Sequence, residues 1–535
     1  MGATVQRPLG GHDSERDGEA GRDAPVAARG TIIRSLADHF AEQVQADPGA
    51  PALLWQGETV SREMLARQLA RIDADLAEHH LPSDRPVGIR AKKSPEAIAL
   101  VLACLKRGLP FLLPSVELAD STLEELFAQA GVSRVLAPLS CGEAGAAVLV
   151  SDAPVGGATM WPPEGSSPAD EVCFMLTTSG STGLPKIVPL SPAGVDRFTE
   201  WAAAQFEIEP GTKVLNYAPL NFDLCLLDIW STLKFGGCVV LVDQDRATNG
   251  AYLSNLVTEH AVNVVQAVPM LYRLLIDEAR ASAQVFDSVR YALTTGDKMP
   301  ASTLKELPEL FPSARLFNVY GCTETNDSLL HEFDLAADEP PSDIPIGAPL
   351  PGVTALIDNG SGGYVEGPGV GELVVNTPFQ TGGYLNAELN EGKFFTIFDN
   401  GSEPRRFFRT GDIVRRHEDD SLTLEGRSDF YVKVRGVRVS TQVVEQAIQT
   451  HPDVVEVAVV AVPDELAGSR LHALVRREPD GELNSLSLRQ HCASRLARTE
   501  MPSTIEIVTE PLPKTSTGKI DRKRCGPRPE RSPVS

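Results

Sequence analysis

From residue 31 onward the apolar positions alternate between two textures. Over residues 32–44 and 60–76 they recur at helical spacing, whereas residues 238–242, 262–268 and 289–293 are short apolar runs of strand length. Residues 269–279 return to helical spacing between two of those runs. Buried strands alternating with helices predict doubly wound α/β layers. Over residues 340–426 the texture changes to β segments punctuated by Gly and Pro, and within 413–424 the charged run Glu418-Asp419-Asp420 reads as a hairpin tip. Beyond Arg427 a smaller α+β unit is predicted, with strands over 454–462 and 472–476 and a helix near 486–496. The expected fold class is α/β: a large N-terminal domain of doubly wound layers plus a β subdomain over 31–427, and a small α+β C-terminal domain over 430–525. Residues 1–30 and 526–535 read as tails. The strongest apolar run, residues 97–105, stops at Lys106-Arg107 and is too short to cross a bilayer.

Composition narrows the function classes. The chain has 535 residues, 42% of them hydrophobic and 23% charged, which argues for more than one folding unit and against global disorder. Acidic residues outnumber basic ones, 72 to 49, so the net field is negative and disfavours nucleic acid or anionic lipid as the main partner. An anionic substrate then requires a local basic pocket. The eight cysteines are scattered without a Cys-x-x-Cys pair, so no zinc ribbon or redox dithiol assembles locally, and reduced cytoplasmic thiols are expected. Residues 1–30 hold no apolar run of the kind a secretory signal needs, and Gln6 stands where a myristoylation motif needs Ser or Thr. A soluble cytoplasmic protein is expected.

The chemistry concentrates first at Thr177-Thr178-Ser179-Gly180-Ser181-Thr182-Gly183-Leu184-Pro185-Lys186, set between apolar segments at 172–176 and 187–190. Glycines let backbone N–H groups curl toward an anion, hydroxyls add donors and Lys186 adds charge, so this loop suits a polyphosphate better than a plain surface turn. It is not a Walker loop, because its second glycine is not followed by Lys-Ser/Thr. Further stretches follow in order: Phe222-Asp223-Leu224-Cys225-Leu226-Leu227-Asp228, Asn318-Val319-Tyr320-Gly321-Cys322-Thr323-Glu324, Arg409-Thr410-Gly411-Asp412, Gly426-Arg427-Ser428-Asp429 with Lys433-Val434-Arg435-Gly436, and Lys514-Thr515-Ser516-Thr517-Gly518-Lys519.

With these motifs the chain resembles the AMP-forming adenylating superfamily: acyl-CoA synthetases, luciferases and the adenylation domains of nonribosomal peptide synthetases. The resemblance spans residues 31–523 and implies ATP and Mg²⁺ as cofactors. ATP would be held by Thr178, Ser179, Gly180, Ser181, Thr182, Gly183 and Lys186, by Asn318, Val319, Tyr320, Gly321, Cys322 and Thr323, and by Asp412 and Arg427. Glu324 matches the magnesium carboxylate and Lys519 the late catalytic lysine. Both types fit the chemistry, because two anions, a carboxylate and the α-phosphate, must meet. Asp429 matches the hinge, residues 428–429, about which the small domain swings between the two half-reactions.

The acid is indicated by Asp223. In amino-acid-activating members the matching aspartate pairs with the substrate ammonium, and a buried carboxylate is costly without a cation. The competing role is a helix N-cap. The remaining pocket wall carried over from the family is Leu224, Leu227, Leu293, Thr295, Val319, Asp327 and Ser328. Its aliphatic members favour a modest apolar side chain, and Asp327 does not fit that pattern: it either faces solvent or helps to bind the ammonium. Cys225 replaces the usual Ser, Cys322 the usual Pro, and Val439-Ser440-Thr441-Gln442-Val443-Val444-Glu445 the usual Ile-Glu-Leu-Gly-Glu-Ile-Glu. In these departures the chain is similar to stand-alone enzymes that load β-amino or other unusual amino acids onto carrier proteins for natural products. The expected partner is the phosphopantetheine arm of a separate carrier protein or, in the alternative, coenzyme A, as for an acyl- or aryl-CoA synthetase. A catalytically silent adenylate-binding protein is disfavoured, because the loop, Glu324 and Lys519 are all present.

Overall fold

The structure is a computed structural model. It describes residues 34–527 except 82–83, 141–145, 154–159, 162–171, 179–183, 335–342, 399–402, 428–430, 435–436, 465–467, 480, 494, 497–499 and 515–519. Two large sheets dominate it. The first runs, in spatial order, Ala348–Pro349, Asn326–Glu332, Arg315–Cys322, Tyr291–Thr295, Val264–Ala267, Lys213–Asn216, Cys238–Leu241, Pro51–Trp55 and Glu58–Ser61. Its six inner strands are parallel and its edges antiparallel. The second runs Ala146–Asp152, Arg134–Ser140, Val87–Ile89, Phe111–Leu112, Phe174–Thr178 and Lys186–Leu190. The expected doubly wound α/β layering is present.

One contiguous core joins the inner faces of both sheets with helices Leu36–Ala46, Arg62–Glu78, Pro95–Lys106 and Pro192–Gln205. The run too short for a bilayer is the central helix of this core. Ser94 caps it through the Ala97 N–H, Pro95 opens it, and every residue from Ala97 to Cys104 is at most 1% exposed. A helix apolar all round is stable only with protein on all sides. The opposite face of the first sheet is covered by helices Gly250–Glu259, Pro269–Ser282 and Ala301–Leu310.

The helix expected from residue 60 begins only at Arg62. Residues 51–61 instead form a hairpin whose turn, Gln56-Gly57, has φ of 50° and 86°, the left-handed geometry of a tight two-residue turn. The later β texture is an antiparallel sheet of Thr354–Asp358, Gly369–Asn376, Arg405–Arg416, Phe394–Ile397 and Leu422–Arg427. The charged tip expected at 418–420 turns the chain there, with Asp420 at φ 63°. After it the strands Val454–Asp464, Gly468–Arg477 and Thr504–Val508 pack with helices Thr441–Gln449 and Ser485–Ala493 around a smaller core of their own.

In the first sheet the chain leaves Lys213–Asn216 toward one side and Val264–Ala267 toward the other, although these strands are neighbours. A crevice therefore opens at their carboxyl ends, the place where open α/β sheets bind ligands. Asn216 and Gln266 are paired across its floor.

Candidate active site

The segment after Asn216 carries Asp223. Its Oδ1 accepts from the adjacent Leu224 N–H at 3.1 Å, and no side chain caps the helical turn Leu226–Ser231, so Asp223 is not that helix's N-cap. That turn is a π-helix, a form frequent at functional sites. Asp223 and Leu224 line a small cavity with Phe198, Gln266, Asn326 and Asp327. The cavity thus draws on the strand Val264–Ala267, on the segment that follows Lys213–Asn216, on the helix Pro192–Gln205 and on the start of the strand Asn326–Glu332. Leu227, Leu293, Thr295, Val319 and Ser328 are buried: the three aliphatic residues belong to the central core, and Ser328 Oγ donates to Thr325 Oγ1 at 3.1 Å.

Below this segment lies a polar cluster. Lys93, 4% exposed, donates to the carbonyls of Asn216 and Ala218, both at 2.9 Å. Asn216 Nδ2 donates to Asp228 Oδ2 at 3.1 Å and to Cys225 Sγ at 3.5 Å. Burial pulls the Lys93 ammonium down to about 7 and pushes the Asp228 carboxyl well above its usual range, against the Asn216 hydrogen bond and the Lys93 charge. Cys225, in place of the usual Ser, lies 3.2 Å from the Pro219 carbonyl, and burial raises its thiol to about 12.

The second cluster lies on Arg315–Cys322 and the later antiparallel sheet. Asp412 Oδ1 accepts from Arg427 Nη1 at 2.9 Å and its Oδ2 from Tyr320 Oη at 2.5 Å. Register explains the first contact, because Asp412 and Arg427 are directly paired across Arg405–Arg416 and Leu422–Arg427. Asn318 Nδ2 donates to the Pro345 carbonyl at 2.7 Å. Gly321 is required by close approach: a Cβ there would sit 2.4 Å from the Asn326 carbonyl oxygen. The turn it permits carries Thr323 and Glu324. Cys322 Sγ lies 3.2 Å from Thr325 Oγ1, and burial, then the Glu324 charge, hold its thiol protonated.

Glu324 is buried, and its Oε1 accepts from Tyr384 Oη at 2.6 Å. Lys186 Nζ stands 4.7 Å from the centre of the Tyr384 ring. Tyr384 therefore links the glycine-rich loop to Glu324. The flanks of that loop are antiparallel, with Thr178 paired to Lys186 across Phe174–Thr178 and Lys186–Leu190. Ser179, Gly180, Ser181, Thr182 and Gly183 lie outside the described residues, as do Asp429 and Lys519. The flanks of Lys519 are anchored: Lys514 bridges to Ile520 and pairs with Glu456, and Arg522 Nε and Nη2 grip Glu445 at 2.9 and 2.7 Å. In the departure at 439–445, Gln442 Oε1 accepts from the Arg427 N–H at 3.1 Å.

Sequence reasoning missed Gln266, Tyr384 and Lys93. A signal existed for Gln266, the single amide within the apolar stretch 264–268. Tyr384 and Lys93 had none, because their partners are distant in the chain.

Comparison with known proteins agrees with this geometry. Residues 40–385 match the family described as AMP-binding enzyme, and residues 443–519 match the AMP-binding enzyme C-terminal domain. Among curated relatives, an L-proline–[L-prolyl-carrier protein] ligase of Pseudomonas fluorescens is 28% identical over 491 residues, 89% of this chain and 95% of the relative. A D-alanine–D-alanyl carrier protein ligase of Bacillus licheniformis is 26% identical over 514 residues, 91% and 98% of the two chains. Among solved structures, Klebsiella oxytoca NpsA in complex with 3-hydroxyanthranilyl-AMSN has a TM-score of 0.74 at 23% identity, covering 92% of this chain and 99% of NpsA. O-succinylbenzoate coenzyme A synthetase of Bacillus subtilis has a TM-score of 0.75 at 21% identity, covering 92% and 98%. These two likenesses bear on the fold, whereas the family match spans well over half of the sequence: the chain belongs to the AMP-binding enzyme family.

Proposed function

We propose that this enzyme activates an amino acid with ATP, releasing pyrophosphate, and then passes the aminoacyl group to the phosphopantetheine thiol of a separate carrier protein. The observation that carries the reading is Asp223 on the wall of the crevice cavity, in a segment that no side chain caps as the start of the turn Leu226–Ser231. A carboxylate there calls for a cation, and the ammonium of an amino acid supplies one. The two carrier-protein ligases among the relatives support the same class of substrate and acceptor.

In this reading the substrate carboxylate attacks the α-phosphate, and pyrophosphate leaves. Asp412, oriented by Arg427 and Tyr320, accepts from the ribose hydroxyls. Asn318, Val319, Gly321 and Cys322 form the strand beside the adenine, Thr323 donates to the α-phosphate, and Thr178 to Gly183 with Lys186 hold the phosphates. Lys519 stabilises charge at the reacting phosphate. Among the described residues no cluster of three or more His, Cys, Asp or Glu could cage a metal ion. That suits Mg²⁺, which is commonly held by one or two carboxylates together with phosphates and water, with Glu324 as the carboxylate. The ion would offset phosphate charge. After adenylation, movement about Asp429 withdraws Lys519 and admits the thiol.

The departures at Cys225, Cys322 and 439–445 support a finer placement among enzymes for β- or other nonproteinogenic amino acids in natural-product pathways. A cytoplasmic site of action fits the free cysteines among the described residues; no helix there is long and apolar enough to cross a membrane. Pyrophosphate exchange across α- and β-amino acids and their deaminated analogues tests the first half-reaction. Mass shifts on a phosphopantetheinylated carrier, against coenzyme A, test the second. Preference for deaminated acids, or acylation of coenzyme A alone, would move the chain to the acyl-CoA synthetases.

A further inference from the structure

The crevice cavity holds more acceptor than one ammonium uses. Asp327 shares the wall with Asp223, and its Oδ2 is buried with no hydrogen-bond partner among the described residues. Burial first, and the Asp223 charge second, push the Asp327 carboxyl up to about 8. Gln266 also lines the cavity, is only 2% exposed, and its Oε1 has no partner among the described residues. Asn326 adds another buried acceptor: its Nδ2 donates to the Phe379 carbonyl at 3.1 Å, which fixes the amide and leaves Oδ1 unpartnered. Among the described residues no Lys, Arg or His lines this cavity, and Lys93, in the polar cluster below, is committed to backbone carbonyls.

An apolar substrate side chain would leave Asp327 Oδ2 and Gln266 Oε1 buried and unmet, an arrangement that proteins avoid. A second cation satisfies both. Resting on the reading of the enzyme as amino-acid-activating, we infer that its substrate carries a second cationic nitrogen, ammonium or guanidinium, bound by Asp327 and Gln266 beside the Asp223 site. The two carboxylates face one small cavity, so the two nitrogens are close together, as in a short diamino acid. This assigns a role to Asp327, the residue at odds with an apolar pocket.

The test is pyrophosphate exchange with 2,3-diaminopropionate, 2,4-diaminobutyrate, ornithine and arginine against alanine, 2-aminobutyrate and norvaline. Wild-type enzyme should prefer a dicationic acid over its neutral counterpart by about 10²-fold or more in kcat/KM, because sites built to hydrogen-bond a group strongly reject analogues lacking it. Asp327→Asn should shrink that preference to within about tenfold, mainly by loss on the dicationic acid. Gln266→Leu should shrink it in the same direction and carries the test if Asp327→Asn fails to fold, as judged by melting temperature. Equal or better exchange with the neutral acids overturns the inference and leaves amino-acid activation standing. Exchange with deaminated acids but with no amino acid overturns both.

Discussion

Replacing Asp223 by Asn removes charge and almost nothing else. The amide can keep an oxygen on the Leu224 N–H, so the turn ahead of Leu226–Ser231 survives. Breaking a fully buried ion pair by removing one partner costs about 3–5 kcal/mol, and an exposed pair is worth under about 1 kcal/mol. Asp223 is half-buried, and Asp327 remains on the same wall to receive part of the ammonium's charge. An intermediate loss of about 2–3 kcal/mol follows, roughly 30- to 150-fold in kcat/KM for the amino acid. The affinity for ATP should change by less than about twofold, since Tyr320, Asp412 and Arg427 form a separate hydrogen-bonded set and distant sites behave independently. The assay is pyrophosphate exchange with the best amino acid and its deaminated analogue on both proteins, beside calorimetric ATP binding. The deaminated acid leaves Asp223 unpaired in the wild type, so Asp223→Asn should accept it comparatively well. Equal loss on both acids, or a parallel fall in ATP affinity, would refute an ammonium at Asp223.

Tyr384→Phe keeps the ring beside Lys186 but deletes the hydroxyl on Glu324; a hydrogen bond to a charged group is worth about 1.5–3 kcal/mol, so half-saturation by Mg²⁺ should rise roughly ten- to a hundredfold. An unchanged magnesium titration, followed by ATP binding as well as by exchange, would remove Tyr384 from that role. Lys519→Ala should slow adenylation by about 10²- to 10³-fold while sparing transfer from preformed aminoacyl-adenylate, and equal loss in both steps would contradict the swing about Asp429. The raised Asp327 carboxyl gives a pH signature: its stabilising contribution is present below the unfolded value of 3.8 and is lost as pH rises toward about 8. Asp327→Asn should therefore gain melting temperature relative to wild type between pH 4 and pH 8, and a constant difference across that window would show that the group is solvated.

Asp223 and Glu324 stand out in the sequence because each sits in a local motif, and the structure places the first on the crevice wall and the second buried against Tyr384. The doubly wound layers are legible for a related reason: runs such as residues 238–242 are apolar at every position, as strands covered on both faces must be. Gln266 is obscured by that same signal, since one amide in an apolar strand looks like a tolerated exception until the strand order puts it at the crevice. Tyr384 is invisible because its meaning is a contact with Glu324, sixty positions away. Leu227 and Leu293, placed on the pocket wall by family position, are buried in the core and are not among the residues lining the small crevice cavity.

The buried helix Pro95–Lys106 has a consequence for synthesis. Its cover includes the first large sheet, and there Leu53 on Pro51–Trp55 pairs with Val239 on Cys238–Leu241. At ~5–20 residues per second a ribosome needs about 7–27 s to go from Leu105, the end of that helix's apolar run, to Val239. For that interval the nascent chain displays a greasy nine-residue run with half its shelter still unmade. Holdase chaperones, or slow codons placed beyond residue 241, should therefore raise the yield of native enzyme, and amides in this helix should exchange with deuterium only when the whole two-sheet body opens.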